Sequence, residues 1–147
     1  MIHIEKISID NIKQALKYAP FFVKERVKLY SWISDGKSET VEYNSKVLEF
    51  IDVLRANNLV QSIVWTKLEK EVKKYIDYPD LIERADIDVV VKLFTYHIRK
   101  ERYKKGHIAE MIEKGQFRKL LTRLKYFKQD PRLYKKAADS RRNFSDE

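Results

Sequence analysis

The chain has 147 residues, of which 44% are hydrophobic and 36% charged, with no cysteine and a formal net charge of +9. The missing cysteine excludes a disulfide scaffold and any cysteine-held zinc or iron–sulfur site. The apolar content excludes a largely disordered chain, and the length suits one domain.

Ile9, Ile12 and Leu16 mark a first helix capped by Ser8 or Asp10, and Pro20 breaks or redirects it. Residues 21–34 support two readings. Val27 and Leu29 alternate with Lys28 and Tyr30 like a strand, whereas Phe22, Arg26, Leu29 and Ile33 form a helical row. Asp35-Gly36 is a turn, so any short hairpin or extended segment lies within residues 21–43, flanked by Thr40-Val41-Glu42-Tyr43.

Val47, Phe50, Ile51 and Leu54 form one apolar stripe, capped by Asn44 or Ser45 and ended by Asn57-Asn58. Trp65, Leu68, Val72, Tyr75 and Ile76 form a second, with Thr66 and Glu69 at capping-box spacing. Pro79 suits the first turn of a short helical segment, Asp80 to Arg84.

The longest helix starts after Asp86 and runs to about Lys105. Ile87, Val90, Val91, Phe94 and Ile98 form its apolar face, widened by Val89 and Leu93, and Asp88, Lys92, Thr95, Arg99 and Arg102 line its polar side. A face that wide belongs to a central helix. The Val89–Val91 run favours a strand locally, but the long span without turn signals favours helix.

Gly106 fits a left-handed stop, followed by a short helix from His107 to Lys114 and a second stop at Gly115. Phe117, Leu120, Leu121, Leu124 and Phe127 stripe the next helix. Asp130-Pro131 begins a last short helix through Ala138. The expected fold is mainly α: a compact single-domain bundle of about six or seven helices over residues 1–139, with a frayed tail over 140–147.

Residues 1–98 hold equal numbers of basic and acidic side chains, so the whole +9 excess falls in residues 99–147. A concentrated basic surface points to an anionic partner more strongly than a diffuse one; lysines serving solubility alone give the same count.

Arg99, Glu101-Arg102-Tyr103, Gly106-His107-Ile108-Ala109 and Glu113-Lys114-Gly115 together resemble an uncharacterised bacterial family of small domains of unknown function. The likeness covers residues 60–127, including Trp65, Pro79-Asp80-Leu81 and Ala85-Asp86, while residues 1–45 match only loosely. Lys104 and Lys105 make this copy more basic than the pattern. The resemblance implies a compact, mainly helical fold and no particular activity.

Two candidate sites follow from the residues themselves. Arg99 and Arg102 lie one turn apart near a helix C-terminus, where they either brace the corner against Glu101, Glu110 or Glu113, or clamp a phosphate or carboxylate. His107 opens the next helix, whose free N–H groups favour an anion, and Glu110 is placed to orient its imidazole. Arg99, Arg102, His107 and Glu110 are therefore the candidate anion site, and the only one with an enzymatic reading. The sequence has no HExxH, P-loop, GxSxG or EF-hand motif, so no catalytic residue, cofactor or metal is assigned.

The second site is a basic helix face. Residues 107–127 have helix-turn-helix proportions about Gly115. Phe117, Leu120, Leu121 and Leu124 would pack inward, and Arg118, Lys119, Thr122, Arg123 and Lys125 would face out to base edges or phosphates. Against a tight helix-turn-helix stands the bulk of Met111; phosphate-backbone contact needs only the basic face. The expected function is a non-enzymatic binding protein whose partner is nucleic acid or another anion; a third reading is a protein–protein interaction module, or a homodimer through residues 117–127, with the charge serving solubility only. No stretch approaches the about 18 apolar residues of a membrane span, and Met1 to Lys13 lacks a signal-peptide core. A cytoplasmic protein without membrane contact is expected.

Overall fold

The computed structural model describes residues 4–23 and 27–130. The helix expected to follow Asp130 and the tail after it lie outside those residues.

The described chain is mainly helical. Helices α1 (Ile9–Leu16) and α2 (Ala19–Val23) precede a hairpin of β1 (Tyr30–Ser34) and β2 (Glu39–Tyr43). Helices α3 (Ser45–Ala56) and α4 (Trp65–Asp77) follow, then a 3-10 segment (Pro79–Arg84). Helices α5 (Ile87–Lys100), α6 (His107–Glu113) and α7 (Gln116–Gln129) complete it.

Local chemistry sets most boundaries. Ser8 caps α1 in a reciprocal capping box with Asn11, each side chain taking the other's N–H at 3.0 Å. Pro20 redirects the chain: α1 closes at Leu16 and α2 opens at Ala19. The hairpin reading of residues 21–43 holds beyond Leu29, and the helical row fails there. The Asp35 carboxylate accepts the N–H groups of Lys37 and Ser38, both at 2.9 Å, and closes the turn. Strands β1 and β2 then pair antiparallel from Tyr30–Tyr43 to Ser34–Glu39.

Asn44 caps α3 through the Lys46 N–H at 2.8 Å, and Asp86 caps α5 through Val89 at 2.9 Å. The expected Thr66–Glu69 box does not form. Helix α4 begins at Trp65 with Val64 at its cap and no side-chain bond there, which places Thr66 already inside the first turn.

Helix α5 is the centre of the bundle, buried almost continuously from Leu93 to Ile98. Its valine run stays helical because packing on several sides outweighs local strand preference. Thr95, expected on the polar side, is fully buried and accepts the Gln61 N–H at 3.0 Å. The helix also ends a turn earlier than Lys105, for a reason set by Glu101 and described below.

Phe22, Phe50, Phe94 and Phe117 meet in the core, with ring centroids 4.7 Å apart for Phe22–Phe50 and 6.2 Å for Phe94–Phe117. Helix α7 packs against α1, α2, the 3-10 segment, α5 and α6. That crowding decides how much of it a partner can reach.

Candidate functional site

The corner between α5 and α6 carries the motif residues, and its geometry begins with Glu101. One carboxylate oxygen accepts the Gly106 N–H and the other accepts the Ile108 N–H, both at 2.8 Å. The Tyr43 hydroxyl donates to Glu101 at 2.6 Å and accepts the Ala109 N–H at 3.1 Å. Burial, and then the bond to the Glu101 carboxylate, raise the Tyr43 hydroxyl well above the ordinary phenol range. The α6 N-terminus, expected to be open to an external anion, is thus filled by the protein's own carboxylate and a tyrosine from β2. This use of Glu101 also stops α5 at Lys100.

His107 points inward. It is 3% exposed, and its Nε2 lies 2.9 Å from His97 Nδ1. His97 Nε2 lies 3.2 Å from Gln116 Oε1, and Gln116 Nε2 donates to the Tyr75 carbonyl at 3.2 Å. The Tyr75 carbonyl can only accept, so it fixes the Gln116 amide, and the remaining protons follow in order. His97 carries its proton on Nε2, and His107 donates from Nε2 to His97 Nδ1. Burial is the main force holding both imidazoles neutral, His97 down to about 3 and His107 to about 4. The chain of bonds ties α4, α7, α5 and α6 together.

The four anion-site residues therefore do not share a pocket. Arg99 donates to the Ile63 carbonyl and lies over the Trp65 ring, 5.3 Å from its centroid. His107 faces His97 rather than Glu110, and Glu110 pairs with Lys104 at 3.3 Å. Neither arginine takes Glu101, Glu110 or Glu113. Of the four, Arg102 alone is both exposed and unpaired among the described residues.

On α7, the expected inward set is buried: Phe117, Leu120, Leu121 and Leu124. The outward set divides. Arg123 donates to the Ala85 carbonyl at 2.7 Å, and its guanidinium lies 4.7 Å from the Phe127 ring centroid. Partial burial lowers its pKa. Lys119 pairs with Asp80 at 3.1 Å, and Thr122 bonds back to the Arg118 carbonyl at 2.8 Å. Arg118 and Lys125 are exposed and unpaired among the described residues, as is Lys128, which the sequence reading did not single out. They stand beside two shallow grooves. One, of about 230 Å³, includes Val23, Glu83 and Tyr126; the other, of about 370 Å³, includes Leu16, Pro20 and Lys128.

Gln116 and Phe117, at the N-terminal end of α7, are buried. A recognition helix exposes that end to base edges. The stripe α7 presents is flanked by other elements of the fold.

Elsewhere, a depression of about 560 Å³ between α4 and α5 carries Lys92 paired with Glu71 at 3.0 Å and Lys73 paired with Asp77 at 3.7 Å, so several of its charges are already neutralised. Among the described residues no cluster of three or more His, Asp or Glu could hold a metal ion, and no helix is long and apolar enough to cross a membrane.

A family model described as a family of unknown function, DUF6508, matches residues 10–130. That is a longer stretch than residues 60–127, on which the resemblance rests. No curated protein and no solved structure matches the chain.

Proposed function

We propose that this chain, which belongs to the DUF6508 family of unknown function, is a small non-enzymatic binding protein whose α7 stripe contacts the phosphate backbone of nucleic acid. One observation carries this reading. Arg118, Lys125 and Lys128 are exposed on one helix, and among the described residues no carboxylate pairs with them. An unpaired cation on a rigid helix meets a phosphate without first breaking an internal bond. Lys119 and Arg123 belong to the supporting structure in this account.

The enzymatic alternative on Arg99, Arg102, His107 and Glu110 has less support. His107 is enclosed and remains neutral across the physiological range, so it has neither access to a substrate nor a titration near neutral pH.

Reversing Arg118, Lys125 and Lys128 to glutamate tests the proposal by fluorescence anisotropy with a generic duplex at low salt. Affinity should fall at least 100-fold, while His107→Gln leaves it unchanged. Binding that survives the triple reversal sinks the reading.

A further inference from the structure

A groove of about 420 Å³ opens between β2, α3 and the end of α5. Val41, Ile51, Ile98 and Ile108 give it an apolar lining, and Leu48 is 52% exposed on the α3 side. Arg55, Arg102 and Lys105 also line it, all exposed and none with a partner among the described residues. Two carboxylates are present. Glu101 is occupied by the Tyr43 hydroxyl and the α6 amides, leaving Asp52 against three cations.

The hairpin adds backbone groups to this wall. Asn44 N–H donates to the Leu29 carbonyl at 2.8 Å, and Asp35 N–H donates to the Ser38 carbonyl at 3.3 Å. Bonded pairs alternate along an antiparallel ladder, so Ser31–Glu42 and Ile33–Thr40 are the bonded pairs between those ends. The N–H and C=O groups of Glu39, Val41 and Tyr43 therefore point away from β1. Val41 and Tyr43 themselves line the groove, which places an open strand edge beside an apolar surface and three unpaired cations.

We propose that this groove binds an extended acidic peptide segment of a partner protein, added to β2 as a third strand. The edge amides and carbonyls supply the main-chain bonds, the lining receives aliphatic side chains, and Arg55, Arg102 and Lys105 select carboxylates. The groove is open to solvent, so a small ligand would remain largely hydrated there, whereas a strand gains a row of hydrogen bonds. The apolar part of the lining is aliphatic apart from Tyr43, so it offers no row of aromatic rings on which nucleic-acid bases would stack. This site does not depend on the α7 reading.

The test is an amide-resolved NMR titration with a blocked hexapeptide alternating valine and glutamate. Shifts should appear at Val41, Tyr43 and Arg102. The valine–lysine analogue should leave them unmoved, and so should glutarate, a small dicarboxylate without a strand backbone. Arg55→Glu with Arg102→Glu should weaken the acidic peptide at least tenfold, with the Tm of the fold unchanged because both side chains are exposed. Arg118→Glu with Lys125→Glu should leave its affinity intact. N-methylating alternate peptide residues should abolish binding in one parity and spare it in the other. The proposal is overturned by no shift at millimolar peptide, by equal binding of the lysine analogue, by the same shifts from glutarate, or by an unchanged Kd in the double reversal. It is likewise overturned if the β2 amides shift with protein concentration alone, which would give the edge to a second copy of the chain.

Discussion

Gly106 and Gly115 both adopt the left-handed backbone, at φ +94° and +82°, and differ in what stands above them. A side chain at Gly106 would overlap the Trp32 ring, whereas one at Gly115 would meet only the flexible end of Arg118, at 3.1 Å. Gly115→Ala should lower stability by about 1–2 kcal/mol, the usual strain of a left-handed residue. Gly106→Ala should lower it further, because the Trp32 ring must also move. Urea unfolding of the two variants measures the difference, and equal losses would show that the Trp32 contact adds nothing. The sequence reading located both glycines, but not the ring on one of them, because Trp32 lies on the hairpin that the periodicity left open. The histidines were likewise visible only in part. His97 falls on the same helical row as Val90 and Phe94, a spacing compatible with its burial that the sequence reading did not use.

The buried histidines also set a pH dependence. In the unfolded chain each imidazole titrates near 6.5, while in the fold burial holds them near 3 and 4. Between those limits the unfolded chain binds protons that the folded chain refuses. Their contribution to stability is therefore complete above about pH 6.5 and falls as the pH drops toward 4. Tm should decline between pH 7 and pH 5. Over the same range, imidazole NMR signals should show both rings neutral and protonated at Nε2. A ring that titrates near 6.5 in the folded protein would contradict the bond order from Tyr75 to His107.

At the scale of elements, α7 combines support with display. Arg123 satisfies the Ala85 carbonyl and covers Phe127, so Arg123→Ala should destabilise the fold by about 1–3 kcal/mol through the carbonyl it strands. Arg118→Ala should stay within about 0.5 kcal/mol, as exposed, unpaired positions do. Thermal unfolding separates the two. Periodicity placed the buried side of α7 correctly, since Phe117, Leu120, Leu121 and Leu124 repeat at helical spacing. It did not show that Lys119 and Arg123 turn toward Asp80 and Ala85, because those partners lie 39 and 38 residues away. The end of α5 was missed for a related reason. Lys100 to Lys105 contain no helix breaker, and the helix yields there because the Glu101 carboxylate gains bonds at the start of α6.

For the molecule as a whole, the uneven charge becomes a question of which cations remain unpaired. Several charges of residues 99–130 are committed internally: Arg99 to a carbonyl, Lys104 and Glu110 to each other, Lys119 to Asp80 and Arg123 to another carbonyl. Unpaired cations occur on α7 and, separately, beside β2. The α7 position was legible in part, since helical spacing turns Arg118 and Lys125 outward, whereas the one beside β2 was not. A count of lysines and arginines cannot tell a braced side chain from an available one, and the second set draws Arg55 from α3, far from the basic third of the chain.

The most direct measurement is the salt dependence of duplex binding for the natural chain and for the Arg118, Lys125 and Lys128 charge-reversed variant. Three phosphate contacts predict a log–log slope of about −2.7, at about −0.9 for each phosphate neutralised. The variant should lose both the slope and the binding. Duplex binding that ignores salt, or a slope the reversal does not change, would contradict the account.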